Sequence, residues 1–299
     1  VMPADFEQLS EDEQEEFKNL RRYDLAHALR DSCAVAGTEQ VLHQVMELFE
    51  QQMRDAAPTG EWRGIEATLY AVRSTARCVE LQDTSHVLPQ ILVRLPSLPK
   101  HPLLQYTAIL VVGRYAEFLN KNPEQLPGLL AYVTSGFGIP SVVSAAAQSF
   151  QNLCNSCARV LTRYIDQLFT LFDACGALPS DDLEEVLKGL GYVISVLPLA
   201  EVTARLEQLI GGWANRLHVI VSNPTPSEAE VKESILLLHR LGSSFRFVKP
   251  PLVSEGETDP CFAVFNKLWP LLDNCFNHPI FRNEDVVEEL CRCVRCAVA

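Results

Sequence analysis

One pattern constrains this chain more than any other: two helical stripes joined by a turn, repeated about every 40 residues. The clearest copy occupies residues 126–157. Its first half carries apolar residues at the i, i+3, i+4 and i+7 positions of one helix face, and a turn with two glycines and a proline ends it at residues 136–140. Its second half carries another apolar stripe and three consecutive alanines. Because a lone helical hairpin cannot bury such a seam, the chain must supply neighbouring copies.

The same motif returns along the chain. The sequence LPQIL at residues 88–92 reappears as LPGLL at 126–130, and as LWPLL at 268–272 with a tryptophan inserted. Periods near 40 with two helices each are typical of HEAT and armadillo repeats. We therefore predict an all-α fold, a HEAT-repeat α-solenoid in which antiparallel helix pairs form a right-handed superhelix. The predicted pairs are 39–53 with 62–79, 85–95 with 102–119, the hairpin 126–157, 158–174 with 181–196, 199–221 with 228–247, and 261–276 with 285–299.

The predicted domain organisation is a single array over residues 1–299, with about six helix pairs and one leading helix. Ser10 and Glu13 fit a capping box, so the leading helix should begin there and stop at Gly37. We also predict a cap at Ser180 and a Ser227 cap with Glu230. The first helix of each pair should form the convex layer and the second the concave layer. Residues 250–260 predict an acidic loop, and we expect the chain to be a fragment of a longer solenoid.

Composition narrows the possible partners. Apolar residues make up 47% of the chain, so a core can form without metal or disulfide staples, and the net charge is −13. Such an acidic chain is not expected to bind nucleic acid directly, because a phosphate backbone requires a basic surface. Acidic residues between 5 and 16 have two interpretations, a solvated helix start or a contact for a basic partner.

Residues 125–158 contain no charged side chain, which raises the question of a membrane span. The turn at 136–140 and several amides interrupt that run, so we predict no membrane span. The chain has ten cysteines and no N-x-[ST] sequon, and we expect a reduced intracellular protein.

The sequence lacks the common motifs of catalysis. It holds no dinucleotide, P-loop, nucleophile-elbow or zinc-protease motif, and its seven histidines are scattered over different repeats. We predict that the chain is not an enzyme and needs no cofactor. The pair Cys154-x-x-Cys157 lacks the further ligands that zinc requires and is interpreted as packing thiols. In the cluster Cys291, Cys293 and Cys296, only the last two share a helix face, so no metal site is predicted.

Two arginines in the last predicted helix are the candidate site residues. Arg292 and Arg295 lie one helical turn apart in an otherwise acidic chain. At that spacing both side chains can face a groove and bind phosphate bidentately. The alternative is that they form salt bridges with Glu288, Glu289 or a neighbouring repeat. The residues alone leave both interpretations open.

Several segments, taken in order, resemble the transportin-SR-like branch of importin-β-type (karyopherin-β) nuclear transport receptors. The resemblance runs almost end to end and is strongest at the CRCVR sequence of residues 291–295. Other matching segments are FKNLR at 17–21, QYTA at 105–108, SAAA at 144–147, LKG at 187–189, DPC at 259–261 and LWPL at 268–271.

The resemblance implies a function. Receptors of this branch bind cargo, typically arginine-serine-rich splicing factors, on the concave face. They interact with nucleoporins on their way through the nuclear pore, and they release the cargo when Ran-GTP binds. It implies a monomer that shuttles between nucleus and cytoplasm, with Arg292 and Arg295 as cargo-binding residues. This chain has Glu289 and Ala299 where the family pattern has further arginines. The alternatives are a related importin with other cargo or a HEAT scaffold unrelated to transport.

Overall fold

In a computed structural model, the chain is described at residues 1–3, 5–80, 87–251 and 259–298. These residues form helices and turns and contain no β-strand. The all-α fold predicted from the repeat is confirmed, as a solenoid-like arrangement of helical repeats. Contacts within the chain define two compact units, unit 1 (Val1–Cys157) and unit 2 (Ala158–Ala299). The single array over 1–299 stays a prediction.

Unit 1 begins with a helix that changes geometry midway. A capping box between Ser10 and Glu13 starts it, as predicted, and a π-helical segment (Arg21–Leu25) lies within it. Gly37 ends it with a φ of 89°, a left-handed value at which other residues are strained. The helices of unit 1 are α1 (Glu11–Leu20), α2 (Ala26–Ala36), α3 (Thr38–Thr59), α4 (Arg63–Thr75), α5 (Val87–Arg94), α6 (Pro102–Arg114), α7 (Ala116–Lys121), α8 (Leu126–Ser135) and α9 (Val143–Leu161).

The helices of unit 1 stack in two layers. Helix α4 packs on α2 and on α6, while α3 packs on α5. Helix α9 approaches α6 closely because Gly113 has no side chain, and the Ser149 hydroxyl donates to the Ile109 carbonyl over 2.9 Å. The predicted start of helix 85–95 lies partly outside the described residues, which resume at Val87.

Two helices predicted near the middle of the chain are interrupted. We predicted one helix over 102–119, but α6 ends at Arg114 and α7 follows it. The predicted start at Ala158 agrees with the structure, because the backbone leaves helical geometry at Cys157, with φ −106° and ψ 17°. The helix predicted over 158–174 is not continuous, because a 3-10 turn at Thr162–Tyr164 interrupts it.

Unit 2 continues with α10 (Ile165–Ala174), α11 (Ser180–Ser195), α12 (Leu199–Val221), α13 (Glu228–Phe247), α14 (Pro260–Asn277) and α15 (Glu284–Val298). Helix α13 packs on α11 and α15, and α12 packs on α14, so the first and second helices of the pairs form separate layers. Ser227 and Glu230 form the predicted capping box. The cap predicted at Ser180 is wrong: Pro179 occupies the N-cap position, and no side chain caps that end.

The predicted acidic loop at 250–260 lies mostly outside the described residues, as do the acids at its centre. No helix within the described ranges is long and apolar enough to cross a membrane.

Candidate functional site

Helix α15 packs on its neighbours through one apolar stripe, made of Val286, Leu290, Cys293 and Ala297. Gly242 of α13 lets the two helices approach closely, because a Cβ atom at that position would lie only 3.3 Å from the Cys293 backbone. Arg292, which is next to Cys293 in the chain, is largely buried against α13, whereas Arg295 is exposed.

Arg292 lies in a cluster of polar side chains from three helices, here called the Arg292 cluster. Its guanidinium lies 3.8 Å from the Glu184 carboxylate on α11 and 3.3 Å from that of Glu289 on its own helix. It donates to the Ser243 hydroxyl on α13 over 3.2 Å and contacts the His239 ring. Only 18% of the Arg292 side chain is exposed.

His239 links the carboxylates of the Arg292 cluster. Its ring nitrogens lie 3.3 Å from Glu289 and 3.6 Å from Glu184. Two carboxylates and one guanidinium thus share a half-buried space, which leaves the cluster with an excess of negative charge when His239 is neutral. Arg292 forms the salt bridges of the second sequence interpretation, although Glu184 is a partner that the sequence did not indicate.

Arg295 stands in a different environment. It is exposed, and within the described ranges no carboxylate lies at ion-pair distance from it. Arg246 on α13 is exposed in the same way, one turn beyond Ser243 as Arg295 is one turn beyond Arg292. These two arginines are available to an anionic ligand without displacing a carboxylate.

A shallow groove adjoins the Arg292 cluster. Leu183 and Leu187 of α11, Trp213 of α12, and Leu236 and Arg240 of α13 line it. The Arg240 guanidinium lies 5.8 Å from the centre of the Trp213 ring, at the distance of a cation–π contact. Burial lowers the pKa of Arg240 from its ordinary value. The groove combines apolar walls with a cation and a half-buried carboxylate.

The cysteines that the sequence singled out occupy two environments. Cys154 and Cys157 are buried, and burial raises the pKa of Cys157 to about 12. Burial also raises the pKa of Cys293 to about 12, whereas Cys291 is exposed. Across the described ranges no group of three histidine, cysteine, aspartate or glutamate side chains is arranged so that it could hold a metal ion. Packing is the role that this geometry supports for the buried thiols.

A second ion pair, in unit 1, escaped the sequence analysis. Glu66 of α4 is 1% exposed and accepts hydrogen bonds from Arg21 at 2.9 and 3.1 Å. The Thr107 hydroxyl of α6 donates to the same carboxylate over 2.8 Å. The Arg21 guanidinium also lies 4.0 Å from the centre of the Tyr70 ring. These contacts join the π-helical segment to two further helices. The only sequence signal was an isolated glutamate within the apolar stripe of α4.

Comparison with known proteins agrees with this helical-repeat architecture. Residues 85–171 match the family model of the transportin-3/importin-13 third TPR domain. TPR and HEAT repeats are both two-helix units, so the match is consistent with the predicted solenoid.

Similar curated proteins come from fungi, plants and animals. The chain is 29% identical to the mRNA transport regulator MTR10 of Saccharomyces cerevisiae over 88% of its own length and 28% of that protein. It is 28% identical to transportin MOS14 of Arabidopsis thaliana, over 89% of the chain and 29% of that protein. With human importin-13 the identity is 21%, over 84% of the chain and 26% of that protein.

The chain thus spans under a third of the length of each of these relatives, whose names describe transport proteins rather than enzymes. The matched repeats and the similarity along most of the chain lead to one conclusion. The chain is similar, along most of its length, to nuclear transport receptors of the transportin-3/importin-13 type.

Proposed function

We propose that the chain is the cargo-binding segment of a nuclear import receptor. In the full-length protein it would bind arginine-serine-rich splicing factors and release them when Ran-GTP binds. Such a receptor would pass nucleoporins and shuttle between nucleus and cytoplasm. Similarity to nuclear transport receptors along most of the chain supports the transport role. The observation that supports this class of cargo is the alternation of positive and negative side chains on α15 and the helices next to it.

That alternation fits a ligand of mixed charge. Exposed Arg295 can pair with a phosphate, and a planar guanidinium does so through two hydrogen bonds. Beside Arg292, the carboxylates of Glu184 and Glu289 can accept hydrogen bonds from arginines. A phosphorylated Arg-Ser segment presents both groups at short intervals. A purely anionic ligand would meet repulsion at Glu184 and Glu289.

The two candidate arginines therefore have different proposed roles. Arg292 holds Glu184 and Glu289 in place through its ion pairs, so it orients the acceptors of the site. Arg295 contacts the phosphate. Glu289 stands where the family pattern has an arginine, and in this proposal its carboxylate is an additional acceptor for the arginines of the cargo.

Binding of labelled Arg-Ser peptides to the full-length receptor tests this proposal. We expect Arg295→Glu to weaken binding of the phosphorylated peptide about tenfold or more and to leave the unphosphorylated peptide unchanged or bound more tightly. The matched control is Arg282→Glu, since Arg282 is also an exposed arginine of unit 2. Equal binding of the phosphorylated peptide by the Arg292→Glu/Arg295→Glu double variant would contradict the assignment.

A further inference from the structure

Three arginines of unit 1 lie on or just beyond three successive packed helices. Arg30 lies on α2, Arg77 lies two residues beyond the end of α4, and Arg114 is the last residue of α6. We call them the arginine patch. Helix α4 packs between α2 and α6, so its end has one arginine-bearing helix on each side.

Two hydrogen bonds fix these helix ends side by side. The Tyr115 hydroxyl, next to Arg114, donates to the Val72 carbonyl in the last turn of α4 over 2.7 Å. The Thr38 hydroxyl, just beyond the end of α2, donates to the Cys78 carbonyl over 3.0 Å. Cys78 directly follows Arg77. These bonds join the end of α4, where Arg77 lies, to the end of α6 at Arg114 and to the segment that follows α2.

The charges of the patch are not neutralised within the described part of the chain. Arg30, Arg77 and Arg114 have no carboxylate at ion-pair distance there, whereas arginines elsewhere, such as Arg21 and Arg216, do. Burial lowers the pKa of Arg114, and the nearby positive charges of Arg77 and Arg30 lower it further, whereas the Glu117 carboxylate, which forms no ion pair with Arg114, raises it. Acids outnumber bases in this chain by 38 to 25, so carboxylates were available to pair these arginines.

We propose that the arginine patch binds a short acidic peptide segment of a partner protein, through the segment's carboxylates or phosphates. Guanidinium groups on three neighbouring helices can each donate two hydrogen bonds to an oxyanion of an extended peptide. A nucleic acid is a poorer match, because it requires a long basic surface and would be repelled by a chain of net charge −13.

A purely structural explanation exists for part of the patch. Cations near a helix C-terminus are stabilised by the helix dipole, and Arg77 and Arg114 both lie at such ends. That explanation predicts that removing the charges lowers thermal stability and leaves ligand binding unchanged. The binding proposal predicts the opposite pattern, so one set of variants separates the two.

Fluorescence anisotropy with labelled peptides provides the test. The probes are a peptide with six glutamates, a peptide with phosphoserines in their place, a matched glutamine peptide and a single-stranded oligonucleotide. We expect the chain to bind one or both acidic peptides, with affinity falling as salt rises, and not the glutamine peptide. The two acidic probes distinguish carboxylate from phosphate as the preferred group.

Charge-removal variants complete the design. We expect Arg30→Gln/Arg77→Gln/Arg114→Gln to weaken acidic-peptide binding about tenfold or more. The matched control removes the same charge from three exposed arginines elsewhere, as Arg54→Gln/Arg159→Gln/Arg282→Gln, and should change binding less than about twofold. Circular dichroism checks that each variant is folded. If the triple variant fails to fold, exposed Arg77→Gln alone, with Arg77→Lys beside it, keeps the test informative.

The outcomes separate clearly. Equal loss in the triple variant and its control, failure of both acidic peptides to bind, or tighter binding of the oligonucleotide would each overturn the proposal. The patch lies in unit 1 and involves neither Arg292 nor Arg295. Acidic-peptide binding should therefore persist in the Arg295→Glu variant, so that this proposal and the proposed import function can fail independently.

Discussion

Replacing Arg21 by methionine would leave the Glu66 carboxylate without its counter-ion in the interior of unit 1. The Glu66 side chain is 1% exposed and that of Arg21 is 12% exposed, so water cannot fully replace the lost partner. Thr107 would still donate its 2.8 Å hydrogen bond, but a hydroxyl dipole compensates only part of a buried charge. The variant also loses the contact of Arg21 with the Tyr70 ring.

Breaking a buried ion pair by removing one partner typically costs about 3–5 kcal/mol. We expect Arg21→Met to lower the local stability around α4 by about 3 kcal/mol, because Thr107 retains its hydrogen bond to Glu66. Glu66→Gln should cost less, about 1–2 kcal/mol, because the amide oxygen still accepts from Arg21, and the Arg21 guanidinium, which loses its counter-ion, is more exposed than Glu66 and keeps its contact with the Tyr70 ring. The double variant should lose less than the sum of the two, since the single variants remove the same interaction.

Native-state hydrogen exchange read by mass spectrometry measures this effect locally. A loss of about 3 kcal/mol corresponds to roughly 100-fold faster exchange of the protected amides in α4 and α6. Peptides from α13 and α15 serve as the internal control and should exchange as before, because repeat units are stabilised mainly by their immediate neighbours.

An equal or larger effect of Glu66→Gln would contradict this reasoning, because it would mean that an unpaired Glu66 carboxylate costs little. Strict additivity in the double variant would contradict it as well.

Three further predictions concern packing, thiols and a helix cap. Gly113→Ala should destabilise the chain by about 1–3 kcal/mol, since the new Cβ would lie 2.7 Å from a backbone atom of α9. Gly212→Ala should instead stabilise the chain by about 1 kcal/mol, because a Cβ there would have no neighbour within 4 Å. Thermal melting followed by circular dichroism compares the two variants. A thiol reagent at mildly alkaline pH should modify exposed Cys291 first and Cys154 last, because burial raises the Cys154 pKa and blocks access; similar rates would contradict the packing role. Hydrogen bonds from Ser227 lower the pKa of Glu230 from its ordinary value. The stabilisation that Glu230→Gln removes should therefore be complete above the ordinary glutamate pKa and be lost as the pH falls through the lowered pKa, and hydrogen exchange at the start of α13 tests this.

Local signals in the sequence were sufficient for much of the fold. The bounds predicted for α12 and α13 agree with the structure, because Pro198 and the Ser227 capping box mark their starts. The same kind of signal misled at Ser180, where Pro179 takes the cap position because its missing amide hydrogen is not needed there. Capping preferences score each residue by itself, so they cannot decide which of two neighbouring residues takes the N-cap position.

Tertiary contacts account for the other differences. The helix predicted over 102–119 divides near Tyr115, whose hydroxyl is committed to the Val72 carbonyl of a different repeat. The helix predicted over 158–174 is interrupted by a 3-10 turn at Thr162–Tyr164. Neither event has a signature in a single sequence, since both depend on which repeat packs where.

The candidate site was predictable only along its own helix. The spacing of Arg292 and Arg295 gave their shared face, and Glu289 was visible one turn away. Glu184 and His239 lie about 50 or more residues earlier, and their meeting with Arg292 depends on the register of α11, α13 and α15. The difference in exposure between the two arginines follows from that register.

Ran-GTP release of bound cargo is the most direct test of the proposed import function. The full-length receptor is loaded with a labelled phosphorylated Arg-Ser cargo, and cargo anisotropy is followed while Ran-GTP or Ran-GDP is added. Our account predicts that Ran-GTP releases the cargo and Ran-GDP does not. Cargo that stays bound at saturating Ran-GTP, as expected of a fixed scaffold partner, would contradict it.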